Sequence, residues 1–165
     1  MRHSGLTLAA AALAVTLAAC GKPETAAPSG GASEAPAPAA ELTAEDEAAL
    51  LASLPAPYNT ADLANGEAKF ALCRSCHTIA EGGVNMTGPN LHGVFGRKAA
   101  ALESYKYSEP LQKAGWLWDA EHLDQWLANP KTYLPGNKMT FAGLKDAKDR
   151  VDLIAFLKVE TGYKP

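Results

Sequence analysis

An all-α domain with long loops is the fold class that this chain predicts. Four stretches repeat apolar residues at helical spacing, and no run alternates with period two for long enough to form a strand. Between His77 and Ser104, five glycines and one proline fall without any period. About four helices and long loops, in a domain of roughly 100 residues, leave too little apolar material for a core, and loops of that length need something to pack on.

The ends of the chain differ in kind. A length of 165 residues accommodates one domain. From Cys20 to Thr60 one lysine, Lys22, stands against six acids, whereas Ala61 to Pro165 carries thirteen Lys/Arg and twelve Asp/Glu. Neither half has the dense basic stripe of a nucleic-acid binder.

Residues 1–19 read as a signal peptide. Arg2 is the positive n-region, and Leu6 to Ala19 is an uncharged run of 14 residues, too short for a span of about 20 residues and of the length of a signal core. The run ends Leu17-Ala18-Ala19-Cys20, which resembles the lipobox of bacterial lipoproteins, with Cys20 as the lipidated residue. An ordinary secretory signal and an uncleaved anchor are the alternatives. Residues 20–60 read as a lipid-anchored linker. Gly21 to Ala40 is rich in Pro, Ala, Ser and Gly, lacks aromatic residues, and cannot bury enough surface to offset its ordering entropy. Within 20–60, residues 43–54 predict a short helix, with Thr43 as N-cap, Glu45, Asp46 and Glu47 at the positive end of the dipole, and Pro55 and Pro57 after it.

The domain proper spans 61–165. Leu63, Phe70 and Leu72 mark a first helix over Ala61–Cys73. Ser108-Glu109-Pro110 opens a second, which stops at Gly115. Asp119 caps a third, carrying Leu123, Trp126 and Leu127 and closed by Asn129-Pro130. Asp146–Glu160 is a fourth, with Val151, Ile154 and Leu157 on one side, Leu153 and Phe156 widening it, and Gly162 ending it.

Cys73-Arg74-Ser75-Cys76-His77 carries the chemistry. Two thiols three positions apart reach the two vinyl groups on one edge of a porphyrin, and the adjacent histidine points at the iron; C-x-x-C-H reads as attachment of c-type haem. A thioredoxin-like pair needs a βαβ setting, and a zinc site needs two more ligands at suitable spacing; a simple disulfide remains open in an oxidising compartment. Haem is the missing core. For a second axial ligand the domain offers Met86 and Met139. Met86 follows His77 by only nine residues. Met139 follows Pro135-Gly136-Asn137-Lys138, a loop able to lie across the other face of the ring. Met139 is therefore the favoured ligand, although a core methionine is the commoner use of the residue. Met/His ligation raises the reduction potential and leaves no open site on the iron.

These motifs resemble class I cytochromes c of the mitochondrial type and their bacterial relatives. The likeness runs from Asn65 to Val159 through Gly66-x-x-x-Phe70, the C-x-x-C-H segment, Thr87 to Arg97, Tyr107, Trp118, Asn129 to Gly143, and Asp152 to Leu157. It implies that His77 and Met139 ligate the iron, that the Pro89 carbonyl accepts from the His77 imidazole, and that Arg97, Tyr107 and Trp118 donate to the haem propionates. It also implies that Phe141 covers the haem edge and that Gly66 and Phe70 meet Leu153 and Phe156 where the first and last helices cross. Two positions depart from the pattern. Trp126 stands where the family usually has a tyrosine bonded to the methionine sulfur, and indole N–H only donates. Asn137 stands where a threonine often touches a propionate.

The expectation is a monomeric one-electron carrier, not an enzyme, with one covalent haem c. The likeness implies a quinol–cytochrome c reductase as donor and a terminal cytochrome c oxidase as acceptor, with Lys98, Lys113, Lys131, Lys138 and Lys145 around the docking edge. The N-terminus adds a lipid anchor on the periplasmic side of a bacterial membrane. A haem-bearing subunit of a larger complex, and a peroxidase lacking the methionine ligand, are the alternatives.

Overall fold

The structure is a computed structural model, and it describes residues 42–162. The signal peptide, Cys20 and the Gly21–Ala40 linker lie outside the described residues. The described elements run α1 (Ala44–Ser53), a 3-10 turn (Tyr58–Thr60), α2 (Leu63–Phe70), α3 (Glu109–Lys113), α4 (Ala120–Ala128), α5 (Pro130–Tyr133) and α6 (Ala147–Glu160). Among the described residues the β structure is a single antiparallel bridge, Lys98 to Leu117.

Capping side chains place most helix starts. Thr43 accepts from the Asp46 amide and Asp46 reaches back to the Thr43 amide, closing a capping box on α1. Asp62, Asp119 and Asp146 cap α2, α4 and α6 by accepting from the amide three residues on, at 3.0, 2.8 and 3.0 Å. Asn129 ends α4 and also caps α5, accepting from Thr132 N. The sequence places the end of α4 at Asn129-Pro130 but gives no sign of α5. Proline fits the first turn of a helix as well as it breaks a preceding one, so Pro130 serves both.

The α2–α6 crossing is the structural centre. A Cβ at Gly66 would lie 2.3 Å from the Asp152 carbonyl oxygen and 2.7 Å from Phe156 Cβ, so only glycine lets the helices approach this closely. One turn on, the Phe70 and Phe156 rings pack at 5.7 Å between centroids. Asp152 ties the start of α2 to α6. It accepts from the Asp62 amide at 3.0 Å, from Asn65 Nδ2 at 2.7 Å and from Lys148 Nζ at 2.6 Å. Burial alone would raise its carboxyl pKa, but these donors outweigh burial and hold it below the ordinary value. Every residue of α6 from Asp152 to Val159 is buried.

Candidate cofactor site

After α2 the chain continues in tight turns through Cys76, with Cys76 N and His77 N both bonded to Cys73 O at 3.0 Å. This puts both thiols and the imidazole on one wall of a cavity of about 410 Å³, within the range of cofactor sites. The His77 ring is held from behind, its Nδ1 2.8 Å from the Pro89 carbonyl oxygen. A carbonyl can only accept, so Nδ1 carries the proton and Nε2 keeps a free lone pair. Burial pushes the His77 pKa down and so favours the neutral ring; the Pro89 bond partly offsets this. Gly88 lies against the ring: a Cβ there would be 2.3 Å from His77 Cε1. Burial, with the neighbouring Cys76, pushes the Cys73 thiol up to about 11. A thiol that resists ionisation is a poor zinc ligand, and among the described residues no group of three or more metal-binding side chains occurs.

The facing material comes from farther along the chain. Asn137 shapes the loop: its Nδ2 donates to the Pro130 and Leu134 carbonyls and its Oδ1 accepts from the Met139 amide, all at 2.8 Å. Lys138 Nζ pins the same loop to the Lys106 carbonyl at 3.0 Å. Trp126 Nε1 donates to Met139 Sδ at 3.2 Å. Behind Trp126, the rings of Trp118, Trp116 and Tyr133 form a closed set with centroid separations of 5.4 to 6.4 Å.

A third part of the lining is polar. Arg97 donates to the Asn90 and His92 carbonyls at 3.1 and 3.0 Å. No carboxylate among the described residues pairs with it. Burial raises the Tyr107 pKa and the nearby Arg97 charge partly counters this. A half-buried guanidinium with only neutral acceptors fits an anionic group of the cofactor.

All eleven residues singled out in the sequence (Cys73, Cys76, His77, Pro89, Arg97, Tyr107, Trp118, Trp126, Asn137, Met139 and Phe141) line this one cavity, whereas Cys20 is not among the described residues. Asn137 faces the cavity, but its amide bonds the Pro130 and Leu134 carbonyls and the Met139 amide of its own segment. The sequence reading missed Tyr105, whose hydroxyl bonds the Thr87 carbonyl at 2.6 Å, and the apolar lining from Leu111, Leu123 and Leu127. Leu123 and Leu127 were legible as core, but their use as a cofactor wall had no separate signal, and Leu111 was not singled out. Tyr105 had none at all.

The cytochrome c family profile matches residues 63–159. The chain belongs to the cytochrome c family. It is 43% identical over 105 residues to cytochrome c of Kluyveromyces lactis, covering 63% of this chain and 96% of that protein. It is 48% identical over 95 residues to cytochrome c2 iso-2 of Magnetospirillum molischianum, covering 58% and 97%. Among solved structures, cytochrome cH from Methylobacterium extorquens is 46% identical with a TM-score of 0.55, covering 59% of this chain and 97% of that one. The protein therefore has the all-α cytochrome c fold, carries covalently attached haem c, and is an electron-transfer protein rather than an enzyme. The site's residues fit the group: two thiols for the thioethers, a neutral imidazole, an apolar cavity and an uncompensated cation at one part of its wall.

Proposed function

We propose that the cavity holds a low-spin haem c ligated by His77 and Met139, and that the protein is a membrane-tethered, monomeric carrier between a quinol–cytochrome c reductase and a terminal oxidase. The observation that supports this is the Trp126 N–H on Met139 Sδ, in the cavity that His77 also lines. The hydrogen bond engages one lone pair of the sulfur and leaves the other for the iron. The rival Met86 is 46% exposed and does not line the cavity.

Bound haem c supplies a one-electron Fe(III)/Fe(II) couple. The chain's residues do the rest. The Pro89 carbonyl orients His77 and increases its basicity. Trp126 and Asn137 hold the thioether, which favours the reduced state. Leu111, Leu123, Leu127, Leu153 and Leu157 exclude water from the cavity. Cys73, Cys76 and Phe141 mark the edge through which electrons pass to a docked partner. Of the docking candidates, Lys138 lines the cavity, Lys113 pairs with Glu109 and Lys145 donates to the Ala128 carbonyl; Lys98 and Lys131 complete the set. With Cys20 lipidated on the periplasmic side, the preceding linker raises the carrier's effective concentration near both partners.

Absorption spectra of the two oxidation states test the ligation. Wild type is expected to be low-spin in both, with a weak long-wavelength Met–Fe(III) band that Met139→Ala abolishes. The same substitution lowers the potential by a sizeable fraction of the ~0.8 V that axial ligands span. A high-spin ferric resting state in wild type would sink the assignment. Mass spectrometry of the N-terminal peptide tests the anchor, and Cys20→Ser moves the protein to the soluble fraction if the tether is real.

A further inference from the structure

Residues 42–60 lie outside the matched family span of 63–159, yet they are built into the domain. Leu54 is only 3% exposed, and the Tyr58 ring packs against the core. Both α1 and the 3-10 turn contact α6. The Lys158 ammonium of α6 sits between two rings, 5.8 Å from the Tyr58 centroid and 4.8 Å from that of Phe95. Burial lowers the Lys158 pKa, as expected for a covered ammonium.

The burial pattern of α6 says what this segment is for. A surface helix keeps one polar face. In α6 all positions from Asp152 to Val159 are buried, with Ala155 at 0%, Lys158 at 5% and Val159 at 1% exposure. Leu153 and Leu157 face the cavity, Phe156 faces α2, and Arg150 bonds Asp124 of α4 at 2.7 Å. At 3.6 residues per turn, Val151, Ala155 and Lys158 form the stripe roughly opposite Leu153 and Leu157. Lys158 on this stripe is reached by Tyr58 of the 42–60 segment and by Phe95. None of residues 42–60 lines the cavity.

We propose that residues 42–60 are an intramolecular clasp that covers the outer stripe of α6 and holds Leu42, where the preceding chain joins, to the domain. Leu54 and Tyr58 are its grips. The ten-residue α1 buries no residue of its own and is too short to persist unaided in water, so it rides on those two contacts. Docked, the clasp withholds these residues from the leader. Released, it would add nineteen residues to the leader, up to about 65 Å of extra reach when fully extended. The clasp therefore sets the reach of the tether.

Hydrogen exchange on the full-length holoprotein tests this, with Leu54→Asp and, separately, the milder Tyr58→Ala. Amides of 154–160 are expected to exchange at least tenfold faster in each variant. Exchange at 73–77 and the absorption spectra should stay as in wild type. Unchanged exchange at 154–160 in both variants would overturn the clasp, and so would a rise of equal factor at 73–77, which would mean general destabilisation. The spectra report separately on the ligation, so its failure and the clasp's failure are distinguishable.

Discussion

The two halves of the haem site are built differently. The His77 half is local: Cys73, Cys76, His77, Gly88 and Pro89 all lie within seventeen residues, and backbone bonds such as Gly88 N to Cys76 O at 2.8 Å hold them. The Met139 half is assembled mainly by side chains from several elements. Its supports are Trp126 on α4, Asn137 within the loop, Lys138 reaching back to Lys106, and Leu144 N bonded to Leu127 O at 2.8 Å. A half made of short-range backbone bonds forms whenever its segment does. A half held by side chains from several elements depends on all of them, and one substitution loosens it. The methionine side should therefore be the first to open under stress, and each experiment below probes that asymmetry.

The largest effect is expected at Gly88. Alanine there drives a Cβ into the His77 ring, which cannot be relieved without breaking the Pro89 bond. A loss of about 3 kcal/mol is expected, together with a poor yield of holoprotein, read by denaturation and haem content. A well-ligated, stable Gly88→Ala would show that the local half is less rigid than its bonds imply.

Asn137→Ala comes next. It removes three loop bonds and leaves carbonyls at Pro130 and Leu134 without that donor. A cost of roughly 2 kcal/mol is expected, concentrated on the methionine side: the Met–Fe(III) band should vanish at lower denaturant than the bulk unfolding transition. Coincident transitions would contradict the asymmetry.

Acid titration sharpens the comparison, because both halves lean on α6. Asp152 has a native pKa below its ordinary 3.8. A group depressed in the native state adds stability above its unfolded value, and that stability is lost as pH falls through the native value. Stability should therefore drop below about pH 4. Asp152→Asn should flatten that limb and cost about 1–2 kcal/mol at pH 7. A chemical-denaturation series across pH reads both.

Trp126→Phe is the gentlest cut. It removes one N–H from Met139 Sδ, worth about 1 kcal/mol. If that bond acts on the redox couple, the potential falls by roughly 40 mV, with His77 ligation intact. No shift would reduce Trp126 to a packing role.

Legibility followed the same divide. The C-x-x-C-H segment and the cap at Asp119 were readable because each acts on its neighbours, and Gly66 came with the family resemblance; Asp62 and Asp146, which cap α2 and α6, were read as part of their helices. Pro130 was read as a stop, and its second use as the start of α5 was missed, because a proline in the first turn of a helix and one after a helix look alike in sequence. Trp126 was legible as a departure that must change the bonding behind Met139, but not as a donor to its sulfur. What its indole could bond depended on where the Met139 loop lay.

The sequence by itself determined the all-α class and the covalent haem segment, since periodicity, capping and thiol spacing are short-range properties; most of the other cavity residues were named only by the resemblance to the family. Tertiary structure decided what those residues touch. It put an indole N–H on the Met139 sulfur, turned the amide of Asn137 onto its own loop, and set the Tyr58 ring beside Lys158 of α6. Such contacts join segments up to a hundred residues apart. Their partners are set by the packing of the whole domain rather than by any local pattern.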